Sequence, residues 1–293
     1  MFEKLDFLKI EYEKNKSLSS VTTMKVGGNA KVIALPDSIE KLKGLIDYLE
    51  KNSAKYYVMG NGSDLVFSDT GYDGVVIKTT ALNDIELQGN DIKAGAGVKL
   101  FALSQFALKN GLSGAEFANG IPATLGGAIC MNAGAYGGEM SQIIKTTTYL
   151  ESGIIKELDA AEHDFGYRHS FFSCGGKVIL SAVVSLQKGN TAQIKQKMEK
   201  MAAARKEKQP LEYPSSGSAF LRPEGGYAGA LIEQCGLKGY TIGKAMVSTK
   251  HAGFIINAGG AKSSEIKELV SHIKKVVLEK TGVLLKEEIK FVD

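Results

Sequence analysis

A mixed helix-and-strand fold of the α/β or α+β kind, divided into two parts, is predicted from three features of the sequence. Helical and strand periodicities alternate through the first half, which excludes a helix bundle. The length, 293 residues, exceeds that of one ordinary domain. A lysine-rich helical stretch then runs into Gln209-Pro210, where a hinge is expected.

The elements follow in order. Ser38 or Asp37 can cap a helix whose apolar stripe is Ile39, Leu42, Leu45, Ile46 and Leu49. Tyr56-Tyr-Val-Met59 reads as a strand entering the glycine-rich Gly60-Asn-Gly-Ser-Asp-Leu65, and Val75-Val-Ile77 as a further buried strand. Leu100, Leu103 and Ala107 mark a helix ending at Gly111. The lysine-rich helix covers Thr191 to Lys208, with Ile194, Met198 and Met201 on one stripe. Prolines, serines and glycines across 213–226 demand loop geometry. Ile266, Leu269, Val270, Ile273, Val276 and Val277 then predict a long amphipathic helix from Ser263 or Ser264 to Gly282. After it, 283–292 alternates as a strand, with Leu285, Ile289 and Phe291 on one face and Glu288 on the other.

Composition narrows the function. With 44% hydrophobic and 23% charged residues the chain is globular, and its 36 basic and 32 acidic residues form no block resembling a nucleic-acid arm. A small-molecule partner in the cytoplasm is expected, with no nucleic acid and no membrane. Three dispersed cysteines, Cys130, Cys174 and Cys235, fit free thiols in a reducing compartment, and the histidines supply no metal-ligand cluster, so no metal is expected. Arg168, Arg205 and Arg222 are the only arginines. Their planar fork suits a carboxylate or phosphate, although Arg205 sits in the solvated Lys/Glu helix.

The most unusual stretch is 119–138, uncharged and dense in glycine, with Ile, Leu and Met interleaved as anchors. Glycine lets backbone approach a ligand closely and adopt positive φ, so consecutive N–H groups can gather round a phosphate. Pro122, Asn119 and Asn132 argue against a membrane span. Neither Gly60-Asn-Gly62 nor Gly95-Ala-Gly97 has the third glycine of a dinucleotide fingerprint. A dinucleotide would therefore need a cradle built from the loops at 60–65 and 119–127. Asp64, repulsive to pyrophosphate, would brace its turn or take a ribose hydroxyl.

Six pieces of sequence now occur in order: Gly60-Asn-Gly-Ser-Asp-Leu65; Gly120-Ile-Pro-Ala-Thr-Leu-Gly-Gly127 with Met131-Asn-Ala-Gly-Ala-Tyr-Gly137; Gly166-Tyr-Arg-His-Ser-Phe171; Pro214-Ser-Ser-Gly-Ser-Ala-Phe220; Lys250-His-Ala-Gly-Phe-Ile-Ile-Asn257; and Leu285-Lys-Glu-Glu-Ile-Lys-Phe291. Together they resemble the UDP-N-acetylenolpyruvoylglucosamine reductase (UDP-N-acetylmuramate dehydrogenase) family, in its shorter type without an extra tyrosine-bearing loop. The resemblance implies an α+β protein, with an FAD-binding region of the vanillyl-alcohol-oxidase (PCMH) type at 1–190 and a smaller substrate-binding α+β domain at 191–293. It implies non-covalent FAD, since the first loop holds neither histidine nor cysteine. It also implies NADPH as reductant and a UDP-sugar substrate whose enolpyruvyl group is reduced, in peptidoglycan synthesis.

Carried over position by position, the resemblance implies catalytic roles for Arg168, Ser218 and Glu288. Arg168 and Glu288 would polarise the carboxyl and Ser218 would supply a proton. It implies cofactor contacts at Gly60, Asn61, Gly62, Ser63, Asp64, Gly120, Ile121, Pro122, Ala123, Thr124, Gly126 and Gly127, and phosphate contacts at Lys208 and Arg222. Without it, Ser218 reads as a turn residue, Glu288 as an exposed ion-pair residue and Lys208 as the end of a solvated helix. Ala123, Leu221, Lys244 and Met246 depart from the family pattern. Two rival readings are a sugar or lactone oxidase of the same flavin superfamily and a non-catalytic flavin or nucleotide binder.

Overall fold

The computed structural model describes residues 1–293. Two compact units emerge, each assembled from three stretches of chain: 1–13, 32–61 and 74–204 in the first, and 14–31, 62–73 and 205–293 in the second. Most crossings occur inside regular structure. Strands Glu11–Ser17, Asn29–Leu35 and Tyr72–Lys78 and the helix Thr191–Lys208 each contain a point at which the chain leaves one unit for the other. This division describes packing, a different quantity from the functional boundary expected at 190/191.

The first unit holds a five-stranded antiparallel sheet in the order Ile154–Asp159, Ile144–Glu151, Lys177–Ser185, Asp91–Gly95, Ile85–Gln88. Its inward residues Ile92, Ala94, Ala182 and Val184 share a core with Leu100 and Leu103 of the helix Leu100–Lys109 and with Leu125 and Ile129 of the short helix Leu125–Cys130. A second core in the same unit gathers Leu42, Leu45, Ile46 and Leu49 from the helix Ile39–Lys51 against Val75 and Ile77. Ser38 caps that helix as predicted, its hydroxyl accepting from the Lys41 N–H at 3.2 Å. Full burial of each such side chain stabilises by about 1.5–3 kcal/mol, so the stripe, more than propensity, fixes the helix. The strand Tyr56–Met59 runs parallel to Tyr72–Lys78, Tyr56 facing Val75, and delivers the chain to Gly60.

In the second unit a four-stranded sheet runs Ser215–Ser218, Phe254–Asn257, Ala245–Val247, Thr241–Ile242. The helix Ser263–Thr281 lays Ile266, Leu269, Val270, Ile273 and Val277 into a core with Ile232, Val247 and Ile255, joined by Met24 and Val26 from far upstream. It stops where predicted: Gly282 takes φ +74° and its N–H donates to the Leu278 carbonyl at 2.9 Å.

Two sequence expectations need correction in this unit. The stretch 213–226 is not all loop, because Ser215–Ser218 is a strand. It pairs Ser215 with Ile256 and Ser218 with Phe254, accommodating one extra residue through a bulge at which Gly217 adopts φ +74°. Conversely, the strand expected over 283–292 shortens to Lys290–Val292, parallel to Leu65–Phe67. Upstream of it, Glu287 makes only a single bridge with Phe220.

Candidate functional site

The first unit brings one half of the expected cradle together. Residues 122–126 lie against 96–100: the Leu100 N–H donates to the Ala123 carbonyl at 3.0 Å, Leu125 N–H to Val98 at 2.8 Å and Gly126 N–H to Ala96 at 2.9 Å. The Gly60 end is tied on by Asn61, whose Nδ2 donates to the Pro122 carbonyl at 2.7 Å. Gly60 has no room for a side chain, because a Cβ would overlap Thr124 Oγ1. At Gly126 a Cβ would stand 3.0 Å from that of Ala96.

Of the two reasons expected for glycine at 120–127, close approach and positive φ, only the first applies. None of Gly120, Gly126 and Gly127 takes a left-handed φ, so for Gly126 close approach, and not torsional freedom, is what glycine provides. Gly62, in contrast, has φ +62°. Ala123 has no positive φ either, so its departure from the family pattern carries no backbone strain.

One group in this cradle lacks a partner. Thr124 is 1% exposed and its hydroxyl makes no hydrogen bond in the protein. A buried hydroxyl without a partner costs about 1–3 kcal/mol, and a ligand acceptor laid across the Gly60 backbone would remove that cost. By this criterion the residues fit a closely apposed, oxygen-rich cofactor such as FAD.

Gly62, Ser63 and Asp64, the remainder of the first loop, belong to the second unit. Thr23, which the sequence did not mark, holds them: its N–H donates to the Gly62 carbonyl at 3.2 Å, and its hydroxyl donates to the Ser215 carbonyl at 2.7 Å with the Ser63 carbonyl alongside at 3.4 Å. Although the Asp64 residue keeps some solvent contact, packing around its carboxyl raises its pKa by desolvation, opposed by attraction to Lys290. Its carbonyl accepts from the Lys290 N–H at 2.8 Å. The main chain at Asp64 thus ties this loop to the terminal strand.

Arg168 lies on the first unit, within a turn closed by a pair of backbone bonds, Gly166 N–H to His169 carbonyl at 3.1 Å and His169 N–H to Gly166 carbonyl at 3.2 Å. The residue is half-buried and adopts φ +55°, unusual for a long side chain, and its guanidinium stands 5.2 Å from the centre of the Tyr167 ring.

Ser218 and Glu288 lie on neighbouring backbone runs of the second unit. The Glu288 N–H donates to the Ala219 carbonyl at 2.9 Å, and the Leu221 N–H to the Lys286 carbonyl at 2.9 Å, so residues 218–222 and 286–288 run side by side. Ala219 is held on its other side by the Gly253 carbonyl at 2.8 Å. Both Ser218 and Glu288 are half-buried. Lys208 is exposed at the end of its helix, and Arg222 is exposed with its guanidinium 4.6 Å from the centre of the Tyr227 ring. A hydroxyl and a carboxyl fixed by backbone pairing, with cations on the same unit, can bind an anionic substrate and donate a proton.

Relatives identify the scaffold. One family model, described as FAD binding domain, matches residues 30–159, and another, described as UDP-N-acetylenolpyruvoylglucosamine reductase, C-terminal domain, matches 209–292. A UDP-N-acetylenolpyruvoylglucosamine reductase from Caldanaerobacter subterraneus subsp. tengcongensis is 47% identical over 95% of this chain and 92% of its own. The chain belongs to the UDP-N-acetylenolpyruvoylglucosamine reductase family. The reductase of that name from Clostridium novyi is 45% identical over 97% of this chain and 93% of its own. The crystal structure of UDP-N-acetylenolpyruvylglucosamine reductase from Thermus caldophilus superposes with a TM-score of 0.83 at 34% identity, covering 97% of this chain and 99% of that one. The reductase family's architecture is therefore the α+β one expected, with the FAD-binding region of the vanillyl-alcohol-oxidase (PCMH) type. No helix is long and apolar enough to cross a membrane.

Proposed function

We propose that Arg168, Ser218 and Glu288 are the reacting side chains of an FAD-dependent, NADPH-using reductase acting in the cytoplasm. Its substrate is UDP-N-acetylglucosamine enolpyruvate and its product UDP-N-acetylmuramate, for peptidoglycan synthesis. Family membership supports the reaction. The observation that carries the residue assignment is the side-by-side run of 218–222 and 286–288, which sets Ser218 and Glu288 on one backbone frame.

FAD, when bound, supplies the hydride drawn from NADPH that adds to the β carbon of the enolpyruvyl group. Everything else falls to the chain. As the double bond is consumed, negative charge grows on the substrate carboxyl, and donors already in place stabilise it better than water that must reorganise. The Arg168 guanidinium supplies a two-pronged donor of this kind. Glu288, in its protonated form, donates a further hydrogen bond to the same carboxyl. Ser218 gives its proton to the α carbon, completing the lactyl ether. A serine hydroxyl is a weak acid, so its proton transfer depends on the much greater basicity of that carbon.

The cofactor is held by Gly60, Asn61, Gly62, Ser63, Ala123, Thr124, Gly126 and Gly127, with Asp64, Gly120, Ile121 and Pro122 shaping the two loops. Lys208 and Arg222 take the diphosphate of the UDP-sugar. In this reading 1–190 serves the flavin and 191–293 the substrate.

The test separates the two halves of the reaction. In Ser218→Ala, NADPH still bleaches the yellow flavin absorption, while recovery of the colour on adding the enolpyruvyl substrate slows by about 10²–10⁴-fold. Colour recovery at the wild-type rate would remove Ser218 from the mechanism. A sugar or lactone oxidase would instead recover its colour rapidly in air without that substrate.

A further inference from the structure

The Arg168 turn is not held by its own backbone alone. Asn132 lies 36 residues upstream of Arg168 in the glycine-rich stretch. It is 1% exposed and adopts φ +41°. Its Nδ2 donates to the Gly166 carbonyl at 3.0 Å, and its Oδ1 accepts from the Ser141 N–H at 2.9 Å. The Gly166 carbonyl already accepts from the His169 N–H, so Asn132 occupies its second lone pair. The two ends of this side-chain amide differ in chemistry, and each meets a complementary partner; neither an acid nor an apolar residue of the same size could do both.

Further bonds bind the same two segments. Ser170 Oγ and Ser173 Oγ both donate to the Cys130 carbonyl, at 2.8 and 3.0 Å. At the base of the loop, His163 is fully buried and flat against Phe165, with ring centres 4.8 Å apart. Its Nδ1 donates to the Asp159 carbonyl at 2.8 Å, which leaves Nε2 to accept from the Thr147 hydroxyl at 2.7 Å. Its own carbonyl accepts from the Phe171 N–H at 2.7 Å. The turn from 166 to 169 is thereby clamped at both ends, and Arg168 in its middle carries the left-handed φ that such a clamp must impose on a bulky residue.

We propose that Asn132 is a positioning residue for Arg168. By fixing the Gly166 carbonyl it sets the direction of the guanidinium, and because residues 125–130 just before it form the short helix that closes the flavin cradle, it locks the arginine to the cofactor side of the reaction. This rests on the role given to Arg168 above. A left-handed backbone at the residue that meets the substrate is the pattern expected where geometry at the reacting group is worth more than local stability.

The test is a double-mutant cycle read on the substrate-driven recovery of flavin colour, with hydrogen exchange at the His169 amide as a second readout. Asn132→Ala is expected to slow the maximal recovery rate by about 10- to 100-fold, more than it raises the substrate concentration for half-maximal rate, and to speed exchange at His169. Arg168→Ala is expected to be slower still, and Asn132→Ala/Arg168→Ala no slower than Arg168→Ala alone. Should Asn132→Ala fail to fold, Asn132→Asp serves instead, since it keeps the acceptor for Ser141 and the volume but loses the donor to Gly166. Losses that multiply in the double variant, or a wild-type recovery rate in Asn132→Ala or Asn132→Asp, would overturn the positioning role and leave that of Arg168 standing. A wild-type rate in Arg168→Ala would overturn the catalytic reading itself, and the positioning role with it.

Discussion

Thr124 pairs burial with an unsatisfied hydroxyl, and the two halves of that fact predict opposite effects of one substitution. Thr124→Val keeps the shape and deletes the orphan oxygen, so the flavin-free protein gains about 1–3 kcal/mol in denaturant unfolding. The same change weakens FAD binding, read by flavin fluorescence titration, by about tenfold or more. A variant that gains stability and still holds FAD at wild-type affinity would show that the hydroxyl is not a cofactor ligand. The sequence placed Thr124 in the cradle through its motif. It could not show that Gly60 and Thr124, 64 positions apart, touch, because that contact depends on how the strand Tyr56–Met59 enters its sheet. Asn132 was visible as a polar residue in an apolar run and as part of the Met131–Gly137 piece, but neither sign pointed to Gly166, and Thr23 carried no signal in its surroundings. Residues whose task is to hold another residue's backbone announce themselves by a partner, and a single sequence prints no partners.

At the scale of elements, the terminal helix Ser263–Thr281 shows what periodicity reveals and what it hides. Its stripe, its start and its Gly282 stop were all legible, since each is a local pattern. Its cap was not. The Asp69 carboxylate, almost 200 residues upstream, accepts from the Ser263 N–H at 2.7 Å, the Ser264 N–H at 3.0 Å and the Ser264 hydroxyl at 2.6 Å. Desolvation pushes its pKa up, and the bonds from Ser264 and Ser263 outweigh that and hold it below the ordinary aspartate value. A depressed carboxylate contributes stability that is complete above the unfolded pKa of about 3.9 and vanishes as pH falls through the lower folded value. Asp69→Ala is accordingly expected to cost about 0.5–2 kcal/mol at pH 7 and progressively less in acid, measured by urea unfolding along a pH series. A pH-independent cost would mean that lost packing, not the charged cap, is responsible. The misread strands have the same origin as the hidden cap. Ser215–Ser218 has no strand propensity and exists because Phe254–Asn257 offers it an edge, whereas 283–289 alternates well but has only the Phe220 bridge to pair with.

For the whole molecule the informative feature is that each compact unit is discontinuous. No shift in composition sets 14–31 and 62–73 apart from their neighbours, so nothing in the sequence marks them as partners of the last 89 residues, 205–293, in the second unit. Met24 is 1% exposed and Val26 2% exposed in its core, and Asn257 Nδ2 donates to the Met24 and Lys25 carbonyls at 3.1 and 3.2 Å. A fragment consisting of 205–293 is therefore expected to remain unfolded or aggregate, and to give dispersed amide resonances only when segments corresponding to 14–31 and 62–73 are restored. A well-dispersed spectrum from the fragment alone would refute this. The same interleaving has a consequence during synthesis. At about 5–20 residues per second, the ribosome needs roughly 13–50 s after residue 31 to deliver the end of the chain. Throughout that interval the nascent Met24 and Val26 have no final partners, so this unit's core closes only when the last stretch of chain has emerged.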